Sequence, residues 1–121
     1  MAKLTHILTL SSTTTGTDEL NMSSTDTLTV EEPMINTSRM SIPTGGSTAV
    51  LDGISGKASY LYMKVISGVA TTDYVEITIA GTAIGKVRIE ETLWIPLKDN
   101  MAVTARAYGN ACIIEYGQWA V

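Results

Sequence analysis

Apolar and polar positions alternate through residues 60–116 in a train of short segments. Tyr74-Val-Glu-Ile-Thr-Ile79 shows the pattern and Lys86-Val-Arg-Ile-Glu90 repeats it. Thr92-Leu-Trp-Ile-Pro-Leu97, Met101-Ala-Val-Thr-Ala-Arg-Ala-Tyr108 and Ala111-Cys-Ile-Ile-Glu-Tyr116 follow. A period of two sends successive side chains to opposite faces of a sheet, so each segment predicts a strand with one buried face. Val75, Ile77, Ile79, Val87, Ile89, Leu93, Ile95 and Leu97 are expected to share one core. Tyr74, Glu76, Thr78, Lys86, Arg88 and Glu90 then face outward. A further strand at Ala58–Ile66 turns Leu61, Met63 and Val65 one way and Tyr60, Tyr62 and Lys64 the other.

The first half of the chain is less regular. Leu4, His6, Leu8 and Leu10 alternate with Thr5, Ile7 and Thr9, which predicts a first strand. Ser11 to Thr17 is a Ser/Thr/Gly tract and reads as a loop. Asp18 to Ser23 is either one helical turn or extended chain, and Thr25 to Val30 alternates again. Pro33 and Pro43 bracket a segment that is a strand or a crossing between sheets. Pro43-Thr-Gly-Gly-Ser is a strong loop signal, and residues 51–57 are turn-rich. Further turns are expected at 67–73, at Gly81-Thr-Ala and at Lys98-Asp-Asn. Gly109-Asn110 reads as a compact hairpin. No segment sustains a 3.6-residue period. The pattern predicts a single domain over 1–121, with an irregular, loop-rich half (1–57) and a strand-rich half (58–121). Six to eight strands with turns at this spacing predict an all-β antiparallel β-sandwich, jelly-roll-like or a related two-sheet fold.

Composition adds little chemistry. The 121 residues suffice for one two-layer core without metals or disulfides. Eighteen threonines and ten serines supply much of the polarity, and phenylalanine is absent. Net charge is −4, and the eight basic residues are scattered without a run, so nucleic acid is not an expected partner. Apolar runs are too short to span a bilayer as a helix, and Met1-Ala-Lys-Leu-Thr-His lacks the apolar stretch of an export leader. No membrane partner is expected. Cys112 is the only cysteine and sits in an apolar run, which predicts a buried thiol. His6 is the only histidine and is expected on an exposed or edge strand. The acid pairs Asp18-Glu19, Glu31-Glu32 and Glu90-Glu91 are not automatically shared sites, since adjacent residues on a strand point apart, and Glu90-Glu91, between two strands, reads as a solvated turn. The expectation is no metal, no cofactor, no catalytic residue and no enzyme activity.

The aromatics are the candidate functional residues. Trp94 points away from Leu93 and Ile95, while Trp119, Tyr60, Tyr62 and Tyr74 fall on outward faces or near the chain end. Outward aromatic residues suit satellite packing, a subunit interface or a sugar-stacking platform.

Three blocks carry a resemblance. They are Gly68-Val-Ala-Thr-Thr-Asp-Tyr-Val-Glu-Ile-Thr-Ile-Ala80, Gly85-Lys-Val-Arg-Ile-Glu-Glu-Thr-Leu-Trp-Ile-Pro-Leu97, and Val103-Thr-Ala-Arg-Ala107 with Ile114-Glu-Tyr116. Over roughly residues 60–117 the chain resembles small β-sandwich virion structural proteins of tailed bacteriophages. Where that pattern has glycine before the glutamate of its second strand pair, this chain has Glu90. The resemblance implies a virion component made in the host cytoplasm, in first place a capsid decoration or cement protein, otherwise a tail or head–tail connector protein. It implies binding to a capsid or tail lattice, while the edge strands of a small β domain and the outward aromatics lead to the expectation of a homo-oligomer, with a trimer in first place. A reading of another class is a carbohydrate- or receptor-binding module of a host-attachment apparatus.

Overall fold

The computed structural model describes residues 2–11, 21–30, 33–53 and 56–120. These form ten strands: β1 (Ala2–Ser11), β2 (Asn21–Val30), β3 (Pro33–Ile42), β4 (Thr48–Leu51), β5 (Ser59–Ser67), β6 (Tyr74–Ile79), β7 (Thr82–Arg88), β8 (Thr92–Leu97), β9 (Val103–Tyr108) and β10 (Cys112–Ala120). No helix is found among the described residues.

Eight strands pair as one long hairpin folded back on itself. β6 pairs with β7, β5 with β8, β4 with β9 and β3 with β10, all antiparallel. Rolling this nested set adds two further pairings, β10 with β5 and β6 with β9. The result is two four-stranded sheets, β3-β10-β5-β8 and β4-β9-β6-β7. This is the jelly-roll order, an antiparallel sandwich of two sheets. β1 and β2 stand apart as a two-stranded ribbon paired from Ala2↔Val30 to Ser11↔Asn21.

The tip of the nested hairpin is Ala80-Gly81, where both residues have positive φ (51° and 83°). That backbone suits the right-handed twist of the flanking strands. The turn lies one residue earlier than the Gly81-Thr-Ala reading, so Thr82 and Ala83 belong to β7. One residue of β7 bulges between the Ile77↔Gly85 and Thr78↔Ala83 pairs.

The core lies between the sheets. Leu61, Met63 and Val65 of β5 meet Val75 and Ile77 of β6, Val103 of β9 and Ile114 of β10, all essentially solvent-free. The eight expected core residues join one cluster: Val75, Ile77, Val87 and Leu97 are buried, while Ile79, Ile89, Leu93 and Ile95 pack against them half-buried. Sheet edges are guarded in ordinary ways. β4 has only 4 residues, β7 carries Lys86, Arg88 and the bulge, and β8 carries Pro96.

Three sequence expectations are corrected. Gly109-Asn110 does not close a hairpin, because β9 and β10 belong to different sheets. It is a crossing, and Gly109 alone has positive φ (91°). The strand expected to end at Tyr116 continues to Ala120 and lies inside its sheet, between β3 and β5. Its period breaks at Gly117, where the register shifts on the β3 side. The described residues of the first half carry the regular strands β1 to β4, more than the sequence pattern predicts there. The loop reading at 12–17, the Asp18-Glu19 and Glu31-Glu32 pairs, and residues 54–55 lie outside the described residues.

Candidate functional site

Four of the five singled-out aromatics share one surface. Register explains why: Tyr62 lies opposite Trp94, and Trp119 opposite Tyr60, on the outer face of β8, β5 and β10. Directly opposite and diagonal strand neighbours are within reach of aromatic rings. Tyr60 stacks on Trp94 with centroids 5.3 Å apart and planes at 21°. Trp119 tilts against Trp94 at 6.1 Å.

His6 completes the cluster, which sequence reasoning missed. Its ring lies 5.0 Å from that of Trp94, at 39°. It lies on an edge strand, as one of the two expectations had it, but is half-buried there, and its Nδ1 is enclosed without a hydrogen-bond partner. Through this contact the ribbon is seated on the sandwich. Between the two lies a cleft of about 650 Å³, walled by Ile7, Leu8 and Thr9 on the ribbon and Tyr62, Leu93 and Trp94 on the sheet.

A polar relay runs beside the cluster. The Tyr62 hydroxyl donates to Glu115 Oε1 at 3.0 Å. The other oxygen of Glu115 lies 3.7 Å from Arg39 Nη2. Burial pushes the Tyr62 hydroxyl above its usual pKa, and the bond to Glu115 and the charge of Glu115 act in the same direction. Lys64, on the same face, pairs with Glu90 at 3.5 Å. Glu90-Glu91 is an exposed turn as expected, in which Glu91 Oε1 accepts a hydrogen bond from the Arg88 N–H at 2.9 Å.

Tyr74 does not join this surface. It lies on the outer face of the opposite sheet, stacked on Tyr108 at 5.1 Å and 12°. Lys86 Nζ stands 4.8 Å above the Tyr74 ring, and Arg106 Cζ 4.9 Å above that of Tyr108. The alternation that buries Val103, Ala105 and Ala107 also turns Tyr108 outward, so the signal for it was present. Its partner depended on the β6–β9 register, which one sequence does not reveal.

Chemistry-bearing groups are occupied structurally. Cys112 is buried, and its thiol is raised in pKa by burial and then by the charge of Asp73; a thiol held protonated is a poor nucleophile. Asp73 accepts from the N–H groups of Val69 (3.0 Å) and Ala70 (2.8 Å) and from the Asn110 amide (3.2 Å). It thereby ties the loop before β6 to the β9–β10 crossing. Among the described residues no three His, Cys, Asp or Glu side chains converge as metal ligands. The arrangement therefore offers surfaces for contact: an aromatic cleft under a ribbon, and a tyrosine pair flanked by cations. No protein-family model matches the sequence, and no curated protein matches it.

Proposed function

We propose that this chain is a structural subunit of a bacteriophage virion, a capsid decoration protein in first place and a tail or head–tail connector protein otherwise. One observation supports the reading above the others: the β1–β2 ribbon carries apolar side chains into solvent. Ile7 is 68% exposed, and Leu8 and Met22 are more than half exposed. Leu8 and Met22 share one face of the ribbon and Ile7 lies on the other, and apolar surface left uncovered on a small element marks association more often than solitary action. The fold is compatible, since jelly rolls occur in viral capsid domains, though also in lectins and cupins, and a fold does not fix a function. The resemblance of residues 60–117 adds the phage context. In this reading the partners are further copies of the chain and the capsid or tail lattice, and no catalytic step is assigned. Quantitative mass spectrometry of purified particles tests it. Many copies per particle are expected, and particles lacking the protein would sink the reading.

A second reading draws on the cleft beside Trp94. An indole and a tyrosine next to the hydroxyls of Thr9, Ser24 and Thr92 would suit a sugar ring, whose apolar face stacks on aromatic rings. Glycan-array binding that disappears in Trp94→Ala would favour this carbohydrate-binding function.

A further inference from the structure

Strand pairing gathers three basic residues on the outer face of β7, β6 and β9. Arg88 lies opposite Tyr74, and Tyr74 opposite Tyr108. Two residues further along, Glu76 lies between Lys86 on β7 and Arg106 on β9. Three exposed cations therefore stand against one carboxylate, in a chain whose net charge is −4. On the other sheet Arg39 and Lys64 have carboxylate partners, at 3.7 and 3.5 Å. Among the described residues Lys86, Arg88 and Arg106 form no salt bridge. Lys86 rests on the Tyr74 ring and Arg106 on the Tyr108 ring instead. Arg106 Nε also donates to the Thr44 carbonyl oxygen at 3.3 Å, which anchors the guanidinium and leaves its two terminal nitrogens to bind.

We propose that this face binds an acidic peptide segment of a partner protein, whose carboxylates meet Lys86, Arg88 and Arg106. The inference deepens the structural-subunit reading and rests on it for the partner's place. Charge complementarity calls for an anion. An arginine can give a carboxylate two parallel hydrogen bonds, and side chains already held in place lose little freedom on binding. The rings are poor platforms for nucleic-acid bases, which bind by stacking on free aromatic faces. Tyr74 and Tyr108 stack on one another at 5.1 Å, and a cation stands over each. A phosphate backbone also brings no donor to Glu76, whereas a peptide backbone brings N–H groups.

Size selects a segment over a folded surface. At ~3.4 Å per residue and ~4.8 Å between strands, the patch from Tyr74 to Thr78 across three strands measures roughly 14 Å by 17 Å. It accommodates an extended segment of about five residues. It falls far short of the ~800 Å² per partner of a standard interface between folded proteins. Each such contact is weak, and a lattice offering many identical segments multiplies it.

The test titrates the full-length protein with poly-L-glutamate at low salt. Lys86→Gln/Arg106→Gln removes two cations from the face, and Lys3→Gln/Lys98→Gln removes the same charge elsewhere. Binding is expected to weaken about tenfold in the first variant and to stay near the parent value in the second, with both thermal transitions unchanged. Added salt should weaken binding by the parent chain. Lys86→Gln/Arg88→Gln keeps Arg106 and its bond to Thr44, and should show the same loss if the first variant fails to fold. No binding by the parent chain, or equal losses in the face variant and its control, would overturn the site. Oligothymidylate held more tightly than polyglutamate through the same cations would overturn it in favour of nucleic acid. Self-association of the parent chain that Lys86→Gln/Arg106→Gln abolishes would overturn it in favour of a second copy. Particle content separates the two readings. Polyglutamate binding by a protein that purified particles lack would leave the acidic-segment site standing and remove the virion role. Particles that retain Lys86→Gln/Arg106→Gln as fully as the parent chain would do the reverse.

Discussion

Gly117 lies beneath the indole of Trp119: a Cβ placed on it would come within 2.6 Å of Trp119 Cη2. The missing side chain lets the ring lie flat along β10 and reach Trp94. Gly117→Ala is therefore expected to push the indole off its seat and loosen the aromatic cluster. The cost should be about 1–3 kcal/mol, as for other overpacking changes. Denaturant unfolding measures it, and a changed near-ultraviolet circular dichroism signal should accompany it.

Asp73 makes the fold sensitive to acid. Its carboxyl is held below the usual carboxylate range, first by the Ala70 N–H and then by Asn110 and the Val69 N–H, against the opposing effect of burial. A group whose folded pKa is depressed contributes stability above its unfolded pKa and loses it as pH falls through the folded value. Melting temperature should therefore drop in the acid range below the ordinary carboxylate pKa. In Asp73→Asn it should be lower at neutral pH and fall less on acidification. Parallel acid profiles for the two proteins would show that the sensitivity arises elsewhere.

Gln118 Nε2 donates to Ser59 Oγ at 3.0 Å, and both residues are buried. Ser59→Ala leaves the amide without this partner and should cost ~1–3 kcal/mol. The double variant Ser59→Ala/Gln118→Met removes both polar ends and should recover part of the loss. A double-mutant cycle from chemical denaturation measures the coupling.

Neighbouring residues of β6 should respond very differently. Ile77 is 1% exposed within the core, so Ile77→Ala should cost ~2–5 kcal/mol through lost transfer energy and a cavity. Glu76, on the outer face, should cost under ~1 kcal/mol on truncation to alanine. Equal losses in unfolding experiments would contradict the face assignment.

The core was legible in the sequence because period two is a local property. Val75, Ile77, Val87 and Leu97 could be turned inward with no knowledge of which strands are neighbours. Pairing is not local. Gly109-Asn110 has the residues of a tight hairpin, yet Asn110 is needed as a donor to Asp73 and the chain crosses between sheets. Tyr60, Tyr62, Trp94 and Trp119 could be placed outward one at a time. Only the β8–β5–β10 register brings them together, and the same kind of information separates Tyr74 from them. The ribbon face was half visible: Leu4, His6, Leu8 and Leu10 were read as alternating, but Met22 becomes their companion only through the pairing of β1 with β2.

The nested pairing also sets a timetable for synthesis. Pairing can begin at Ala80-Gly81 and zip outward, β6 to β7, then β5 to β8, as each strand leaves the ribosome. The outermost ladder, β3 with β10 from Ile42↔Cys112 out to Pro33↔Trp119, must wait for β10, which is also the inner neighbour of both β3 and β5. Contacts this distant along the chain slow folding. Until Ala120 has been made, β3 has no partner strand and β5 keeps one open edge. The nascent chain therefore passes through a sticky half-sheet, and the last nine residues to join a strand decide when that exposure ends.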